Sequence, residues 1–180
     1  MKREGKKKNA KPDVVSIHHN VKSINNRLLE LNVLLHSELA DVNVLCLSEH
    51  WLREEYIKLI SIDKYKLASN FNRSKSDHGG SCIYIKLHMQ TKEVNYLQGI
   101  SKEKDFEMTT VEILDYKLII VCVYSSPDDD FSTFLRSLEL VIQKVQARNK
   151  RLILCGDWNI NLMQESVRLH DVRELMSLHN

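Results

Sequence analysis

The stretch VNVLCLSE, residues 42–49, is apolar at almost every position and then ends in a serine and a glutamate. A strand with one face in water alternates apolar and polar residues, whereas a run without alternation indicates a strand covered on both faces. Similar runs occur at 118–123 and 152–155. A chain with several such strands needs layers on both sides of a sheet, which restricts it to layered folds.

Segments with helical periodicity separate these runs. Apolar residues recur at helical spacing over about 24–38, with Ser23 as a candidate cap, and over about 131–147. Further strands are predicted at 13–20, 81–87 and 106–114, and a weaker helix at 165–180. Strands interleaved with helices predict an α/β or α+β fold, and the absence of repeats or linkers predicts a single domain over residues 13–180.

Charge is distributed unevenly along the chain. Residues 1–12 hold six Lys/Arg and one Glu, which leaves 20 basic and 23 acidic residues in the remainder. The basic segment is predicted to be a disordered tail, with nuclear import or loose nucleic-acid binding as the alternatives. The remainder is too acidic to coat nucleic acid by counterion release, so any contact with phosphate must be local or metal-assisted.

No apolar run approaches the ~20 residues of a membrane span, and the N-terminus has no apolar core of a secretory signal. An intracellular, nuclear protein without a membrane partner is expected. The four cysteines lie singly in apolar strand-like runs, without a C-x-x-C pair. They are interpreted as small hydrophobic side chains rather than a disulfide framework or a zinc site.

Polar residues follow several of the apolar runs at the point where each run ends. These residues are Asn20, Glu49, Tyr124, Asp157 and Asn159. Each has a simpler explanation: a cap or turn for the asparagines and Asp157, a solvated acid for Glu49, and an aromatic reaching water for Tyr124. Ligands collect beyond the carboxyl ends of parallel strands. The recurrence of these polar residues at strand ends therefore favours a common pocket.

Five segments, HHNVKSI, NVLCLSEHWL, DHGGSCIYIK, IIVCVYSSP and LILCGDWNINL, occur in the order expected of the endonuclease/exonuclease/phosphatase superfamily. More narrowly, the chain resembles the apurinic-type endonuclease domain of non-LTR (LINE-like) retrotransposons over about residues 13–180. The resemblance implies a four-layer sandwich of two mixed β-sheets flanked by helices. It also implies a metal-dependent DNA endonuclease that hydrolyses a phosphodiester bond and leaves a 3′-hydroxyl.

The resemblance also implies roles for the matching residues. Glu49 corresponds to the metal-binding glutamate and Asn20 to its helper, with Mg²⁺ as the ion and Mn²⁺ as the alternative. Asp157 corresponds to the aspartate that orients and deprotonates the attacking water, and Asn159 to its partner in positioning the phosphate. Tyr124 corresponds to the tyrosine that bonds a phosphate oxygen. DNA is the partner implied, and no obligate protein partner is indicated.

The sequence departs from the family pattern in places. Residues 125–127 read Ser-Ser-Pro where Arg and Pro usually follow the tyrosine, His50 replaces a threonine, and His78 replaces a glycine. The family places further strands and a Ser-Asp-His motif after this region, so the resemblance predicts a domain incomplete at its C-terminus, missing its C-terminal strands and nearly inactive. The alternatives are a catalytically dead remnant with a binding or scaffold role and, ranked last, a lipid phosphodiesterase.

Overall fold

The computed structural model describes residues 13–179, so the basic segment predicted as a tail lies outside the described residues. Within this range the chain forms two four-stranded sheets. The strands are β1 (Ser16–Asn20), β2 (Val44–Ser48), β3 (Tyr65–Phe71), β4 (Ser81–Lys86), β5 (Thr91–Lys92), β6 (Glu107–Ile113), β7 (Leu118–Tyr124) and β8 (Arg151–Asp157). The helices are α1 (Ile24–His36), α2 (Glu54–Ile57), α3 (Phe131–Gln146) and α4 (Val167–Leu178).

Both sheets are mixed. The first has the order β1-β2-β4-β3 and the second the order β5-β6-β7-β8. The pairs β1–β2 and β7–β8 are parallel, and the other neighbouring pairs are antiparallel. The carboxyl ends of β1 and β2 therefore meet at one edge of the first sheet, and those of β7 and β8 meet at one edge of the second.

The apolar runs lack alternation because the central strands are covered on both faces. In β7, Ile120 and Cys122 face the other sheet, whereas Ile119 and Val121 pack in the core beneath α3 and α4. In β2 the side chains divide in the same way between the other sheet and α1. The layers are thus helix, sheet, sheet and helix, which confirms the predicted four-layer sandwich of two mixed sheets.

Helix α3 begins as its sequence predicts. The side chain of Asp130 accepts hydrogen bonds from the N–H groups of Ser132 (3.1 Å) and Thr133 (3.3 Å), which have no partner inside the helix. The prediction for α1 was wrong in one detail, since the Ser23 side chain makes no capping hydrogen bond. Its backbone instead has a φ of +81°, and its N–H donates to the Glu49 carbonyl (2.9 Å). The start of α1 is therefore held by the loop after β2.

Strand β3 has no counterpart among the predicted strands. Its pairing with β4 shifts register between Leu67 and Ser69, which marks a bulge. An extra residue at a bulge breaks the alternation on which strand prediction relies.

The strands β1 and β8 are edge strands of their sheets. Most of their side chains are only partly buried, unlike those of β2 and β7. Among the described residues, no helix has the length and apolar character needed to cross a membrane.

Candidate active site

The side chain of Asn20 joins two carboxylates that come from different sheets. Its Nδ2 donates to Glu49 Oε1 and to Asp157 Oδ2, each at 2.7 Å. Asn20 ends β1, Glu49 follows β2 in the first sheet, and Asp157 ends β8 in the second. The structure therefore brings together three of the five residues singled out from the sequence, at the edge where the parallel strands end.

The orientation of the Asn20 amide is determined by a backbone contact. The N–H of Lys22 donates to Asn20 Oδ1 (3.2 Å), which turns the NH₂ group toward the carboxylates. With both amide hydrogens used, Asn20 fixes the separation of Glu49 and Asp157.

Glu49 lies in a backbone conformation that few residues adopt. Its φ is +55°, and the φ of Trp51 is +61°. The loop is held in this shape because Glu49 N–H donates to the Gly80 carbonyl (2.8 Å) and Trp51 N–H to the Gly79 carbonyl (3.0 Å). The indole Nε1 of Trp51 also donates to Glu49 Oε2 (3.1 Å). Both Glu49 oxygens are thus positioned, and backbone strain of this kind collects at functional sites.

His50 lies behind this loop and is completely buried. Leu52 N–H donates to its Nδ1 (3.0 Å), so Nε2 carries the ring proton and donates to the Phe71 carbonyl (2.9 Å). Burial lowers the pKa of His50, which keeps the ring neutral. The histidine that replaces the usual threonine therefore supports the loop from inside.

Asp157 depends on the glycine before it. Gly156 has a φ of +139°, and a Cβ at this position would lie 1.8 Å from the Val123 carbonyl oxygen. Only glycine fits so close to the neighbouring strand. Asp157 then accepts from Asn20 on Oδ2 and from the Asn159 N–H on Oδ1 (3.1 Å), so both of its oxygens are held.

The side chain of Asn159 is directed toward the neighbouring loop rather than toward Glu49. Its Nδ2 donates to the Ser125 carbonyl (2.6 Å), and the Ser125 N–H donates to the Asp157 carbonyl (3.0 Å). Asn159 is itself exposed and has a φ of +51°. It thereby connects the ends of β7 and β8.

Tyr124 is the register partner of Asp157 and is 5% exposed. Burial raises the pKa of its phenol, and the negative charge of Glu49 raises this pKa further. The hydroxyl therefore stays protonated and can donate a hydrogen bond.

A buried ion pair supports these residues and was not predicted. Arg73 Nε donates to Glu107 Oε1, and Glu107 Oε2 accepts from the Gly80 N–H (2.6 Å). Arg73 also donates to Ser126 Oγ (2.6 Å), and its guanidinium lies 5.7 Å from the Tyr124 ring centroid. The only local signal in the sequence was Glu107, an acid between two apolar residues at the start of β6. Its partner Arg73 is 34 residues away. Trp51 likewise had no predicted role.

The carboxylates of Glu49 and Asp157 form an arrangement that suits a divalent cation. Among residues 13–179, neither carboxylate has a lysine, arginine or histidine nitrogen within 4.0 Å. They share a single neutral amide, so their negative charge is uncompensated. Carboxylate oxygens are the ligands that Mg²⁺ prefers, and the residues present therefore fit this ion.

The chain matches a known protein family. The model of the Endonuclease/Exonuclease/phosphatase family matches residues 17–177. A search of curated proteins finds no match.

Three of the solved structures that are similar to the chain illustrate the range. The endonuclease domain of TRAS1, a telomere-specific non-LTR retrotransposon, has a TM-score of 0.69 at 14% identity, with 93% of this chain and 72% of that chain covered. An AP endonuclease from Archaeoglobus fulgidus has a TM-score of 0.65 at 15% identity, with 92% and 71% covered. The 3′ phosphatase NExo from Neisseria, bound to a product DNA hairpin, has a TM-score of 0.63 at 15% identity, with 91% and 70% covered. At such low identity, these similarities show the fold.

Proposed function

Because the chain belongs to the endonuclease/exonuclease/phosphatase family, whose members are nucleases and phosphatases, we propose that it is a metal-dependent DNA endonuclease domain of a retrotransposon-derived protein. The proposed reaction is hydrolysis of a phosphodiester bond that leaves a 3′-hydroxyl. The observation that carries the proposal is the Asn20 amide, which holds Glu49 and Asp157 at 2.7 Å each. This arrangement suits a divalent ion together with a phosphate.

Glu49 is the proposed ligand of Mg²⁺, with Mn²⁺ as the alternative, because both oxygens of its carboxylate are oriented by hydrogen bonds. The bound ion would supply a Lewis acid at the phosphate. Asn20 presents its NH₂ rather than its oxygen to the carboxylates. We therefore assign Asn20 the task of holding Glu49 and Asp157 at a fixed separation, beside the ion.

Asp157 is the proposed base. Both of its oxygens accept a hydrogen bond from the protein, so the carboxylate cannot rotate, and each oxygen keeps a lone pair for a water proton. A fixed carboxylate can align a water molecule for in-line attack on phosphorus and accept its proton.

Tyr124 and Asn159 are the proposed phosphate contacts. The protonated Tyr124 hydroxyl donates to a phosphate oxygen, where negative charge increases during attack by water. Asn159 needs its amide free of the Ser125 carbonyl before it can contact phosphate directly. Its second contribution is to keep the ends of β7 and β8 together.

The surface beside Glu49 suits a DNA strand. Trp51 is 36% exposed and packs against His78, with the ring centroids 4.3 Å apart. A groove of about 250 Å³ adjoins it, and Arg53 is among its lining residues. An exposed aromatic ring offers a stacking surface for a base, and Arg53 offers a contact for phosphate in exchange for its ion pair with Asp77 (3.1 Å). Residues 13–180 carry more acidic than basic residues, so contact with DNA is expected at a local surface such as this one rather than over the whole domain.

The retrotransposon origin rests on two supports. One is the resemblance of the ordered sequence segments, and the other is the similarity in fold to the TRAS1 endonuclease domain. The AP endonuclease and the DNA-bound phosphatase share the same fold, so DNA as substrate is supported more broadly than the retrotransposon origin.

The test is Mg²⁺ binding and plasmid nicking by the chain and its Glu49→Gln variant. Glutamine keeps the shape of Glu49 and removes its charge. Calorimetry should show Mg²⁺ binding that Glu49→Gln weakens at least about tenfold, since a carboxylate ligand is lost. Glu55→Gln is the matched control, because Glu55 is an exposed acid in α2. Equal Mg²⁺ binding by all three proteins would refute the metal site.

Nicking of supercoiled plasmid then distinguishes the enzyme from the scaffold alternative. Nicking that requires Mg²⁺ and is lost in both Glu49→Gln and Asp157→Asn would support the endonuclease. DNA and Mg²⁺ binding without cleavage, also in the chain extended by the C-terminal strands and Ser-Asp-His segment of a related element, would instead support the non-catalytic alternative. The ends of the nicked strand, tested as primers for a DNA polymerase, show whether a 3′-hydroxyl is left.

A further inference from the structure

Three of the four cysteines meet between the two sheets, although they lie far apart in the sequence. Cys46 is on β2, Cys122 on β7 and Cys155 on β8. Their sulfur atoms all lie within 4.8 Å of one another. Cys122 and Cys155 are register partners in the parallel pair, and Cys46 reaches them from the opposite sheet.

The fourth cysteine lies elsewhere. Cys82 is on β4 and is completely buried, but it faces the core beneath α1 rather than the space between the sheets. The chain therefore contains three clustered thiols and one isolated thiol in similar buried strands.

We propose that Cys46, Cys122 and Cys155 form a binding site for a monovalent soft metal ion, Cu⁺. Thiolate sulfur is a soft ligand that selects ions such as Cu⁺ and Zn²⁺ over the Mg²⁺ proposed for the neighbouring carboxylates. The two sites would thus take different ions because their donor atoms differ.

The spacing of the sulfurs is close to what a bound ion requires. A metal–sulfur bond of about 2.3 Å places three sulfurs about 4 Å apart when the ion lies in their plane. The observed limit of 4.8 Å means that the side chains need to move by less than about 1 Å. Rotation about χ1 of a cysteine can supply such a movement without displacing a strand.

The number of donors favours Cu⁺ over Zn²⁺. In the part of the chain that the structure describes, the cluster holds three sulfurs and no histidine or carboxylate as a fourth ligand. Structural zinc sites are almost always tetrahedral and four-coordinate, whereas Cu⁺ is stable with three thiolate sulfurs.

An ion bound here would lie in an apolar core together with Val44, Ile83 and Ile120. Cysteine ligates a metal ion as thiolate, so binding releases thiol protons to solvent without any electron transfer.

An ion can reach the cluster from the side of β8. Cys155 is partly exposed, whereas Cys46 and Cys122 are buried. The site thus has the entry path that a metal site requires.

The experiment is an anaerobic titration of the reduced full chain with Cu⁺ in competition with a chromogenic chelator. We expect one tightly bound Cu⁺ per chain and a higher Tm of the loaded protein. Cys155→Ser should weaken binding at least about a hundredfold, because a hydroxyl is a poor ligand for a soft ion. Cys82→Ser is the matched control and should bind as the parent does. Circular dichroism checks that both variants fold.

X-ray absorption at the copper edge gives a second measurement, which needs no variant. Three sulfur neighbours are expected, and nitrogen or oxygen neighbours would overturn the proposal. It would also be overturned if Cys155→Ser bound Cu⁺ as tightly as Cys82→Ser, or if Zn²⁺ displaced Cu⁺ at equal concentration. Both measurements are independent of nuclease activity, so they stand whether or not the proposed function is correct.

Discussion

The carboxylate of Glu103 holds a loop by accepting hydrogen bonds on both of its oxygens. The donors are the backbone N–H groups of Ser74, Lys75 and Ser76 and the hydroxyls of the two serines. Burial alone would raise the pKa of Glu103, but these hydrogen bonds outweigh it and lower the pKa to about 2. The loop leads to His78, which packs against Trp51 beside the candidate site.

This residue predicts a dependence of stability on acid. An unfolded glutamate takes up its proton near pH 4.5, whereas folded Glu103 does so near pH 2. The contribution of Glu103 to the free energy of unfolding is therefore present above pH 4.5 and is lost as the pH falls toward 2. We expect Glu103→Gln to cost about 1 kcal/mol at pH 6, after discounting for solvent screening, and to lose less stability than the parent on acidification. Urea denaturation at several pH values measures this, with exposed Glu93→Gln as the control. If the free energy of unfolding fell with pH equally in the parent and in Glu103→Gln, Glu103 would not be the source of this dependence.

Single residues were predictable where the chain supplied a local reason. Asn20, Glu49 and Asp157 each end or follow an apolar run, and parallel strands carry such residues to one edge. Arg73 and Glu107 were not predictable, because their contact joins a loop to a distant strand and leaves no periodic signal. Long-range polar pairs of this kind depend on the completed fold.

At the scale of elements, the end of β8 depends on Gly156. We expect Gly156→Ala to lower the free energy of unfolding by about 1–3 kcal/mol more than Gly99→Ala. Both glycines have positive φ, but a Cβ at Gly156 meets the Val123 carbonyl, whereas one at Gly99 meets nothing within 4 Å. The difference between the two variants isolates the close contact with β7 from the cost of the backbone conformation. Chemical denaturation measures it, and equal costs would show that β8 can move away from β7.

Most elements could be predicted from the sequence, and the exceptions have physical reasons. Helix α3 was predictable from its apolar spacing, and β2 and β7 from their uninterrupted apolar runs. The bulge hid β3, and β5 is too short, at two residues, to produce a pattern. The strand order was not contained in any local pattern, because it depends on pairing across the whole chain.

At the scale of the whole molecule, the candidate site spans the two sheets, so it should respond to how they pack. Ile119 and Ile120 are neighbours on β7 and both are completely buried. Ile120 faces the other sheet, and Ile119 faces the helices. Replacing either by alanine should cost about 2–5 kcal/mol. We expect Ile120→Ala to weaken Mg²⁺ binding several-fold more than Ile119→Ala, because only the former alters the contact between the sheets. Calorimetry on the folded variants measures this, and equal affinities would show that the site tolerates movement between the sheets.

The hydrogen bond between Asn20 and Asp157 also has a consequence for the order of events during synthesis. These residues are 137 positions apart, so Asn20 leaves the ribosome long before its second carboxylate partner exists. Through that interval the first sheet can form and Glu49 can already be in place, but the cluster is incomplete. It closes only when β8, the last strand of the described chain, docks beside β7. A nascent chain that has not yet folded β8 therefore carries no assembled site, and the chemistry proposed for this protein becomes available only after β8 has paired with β7.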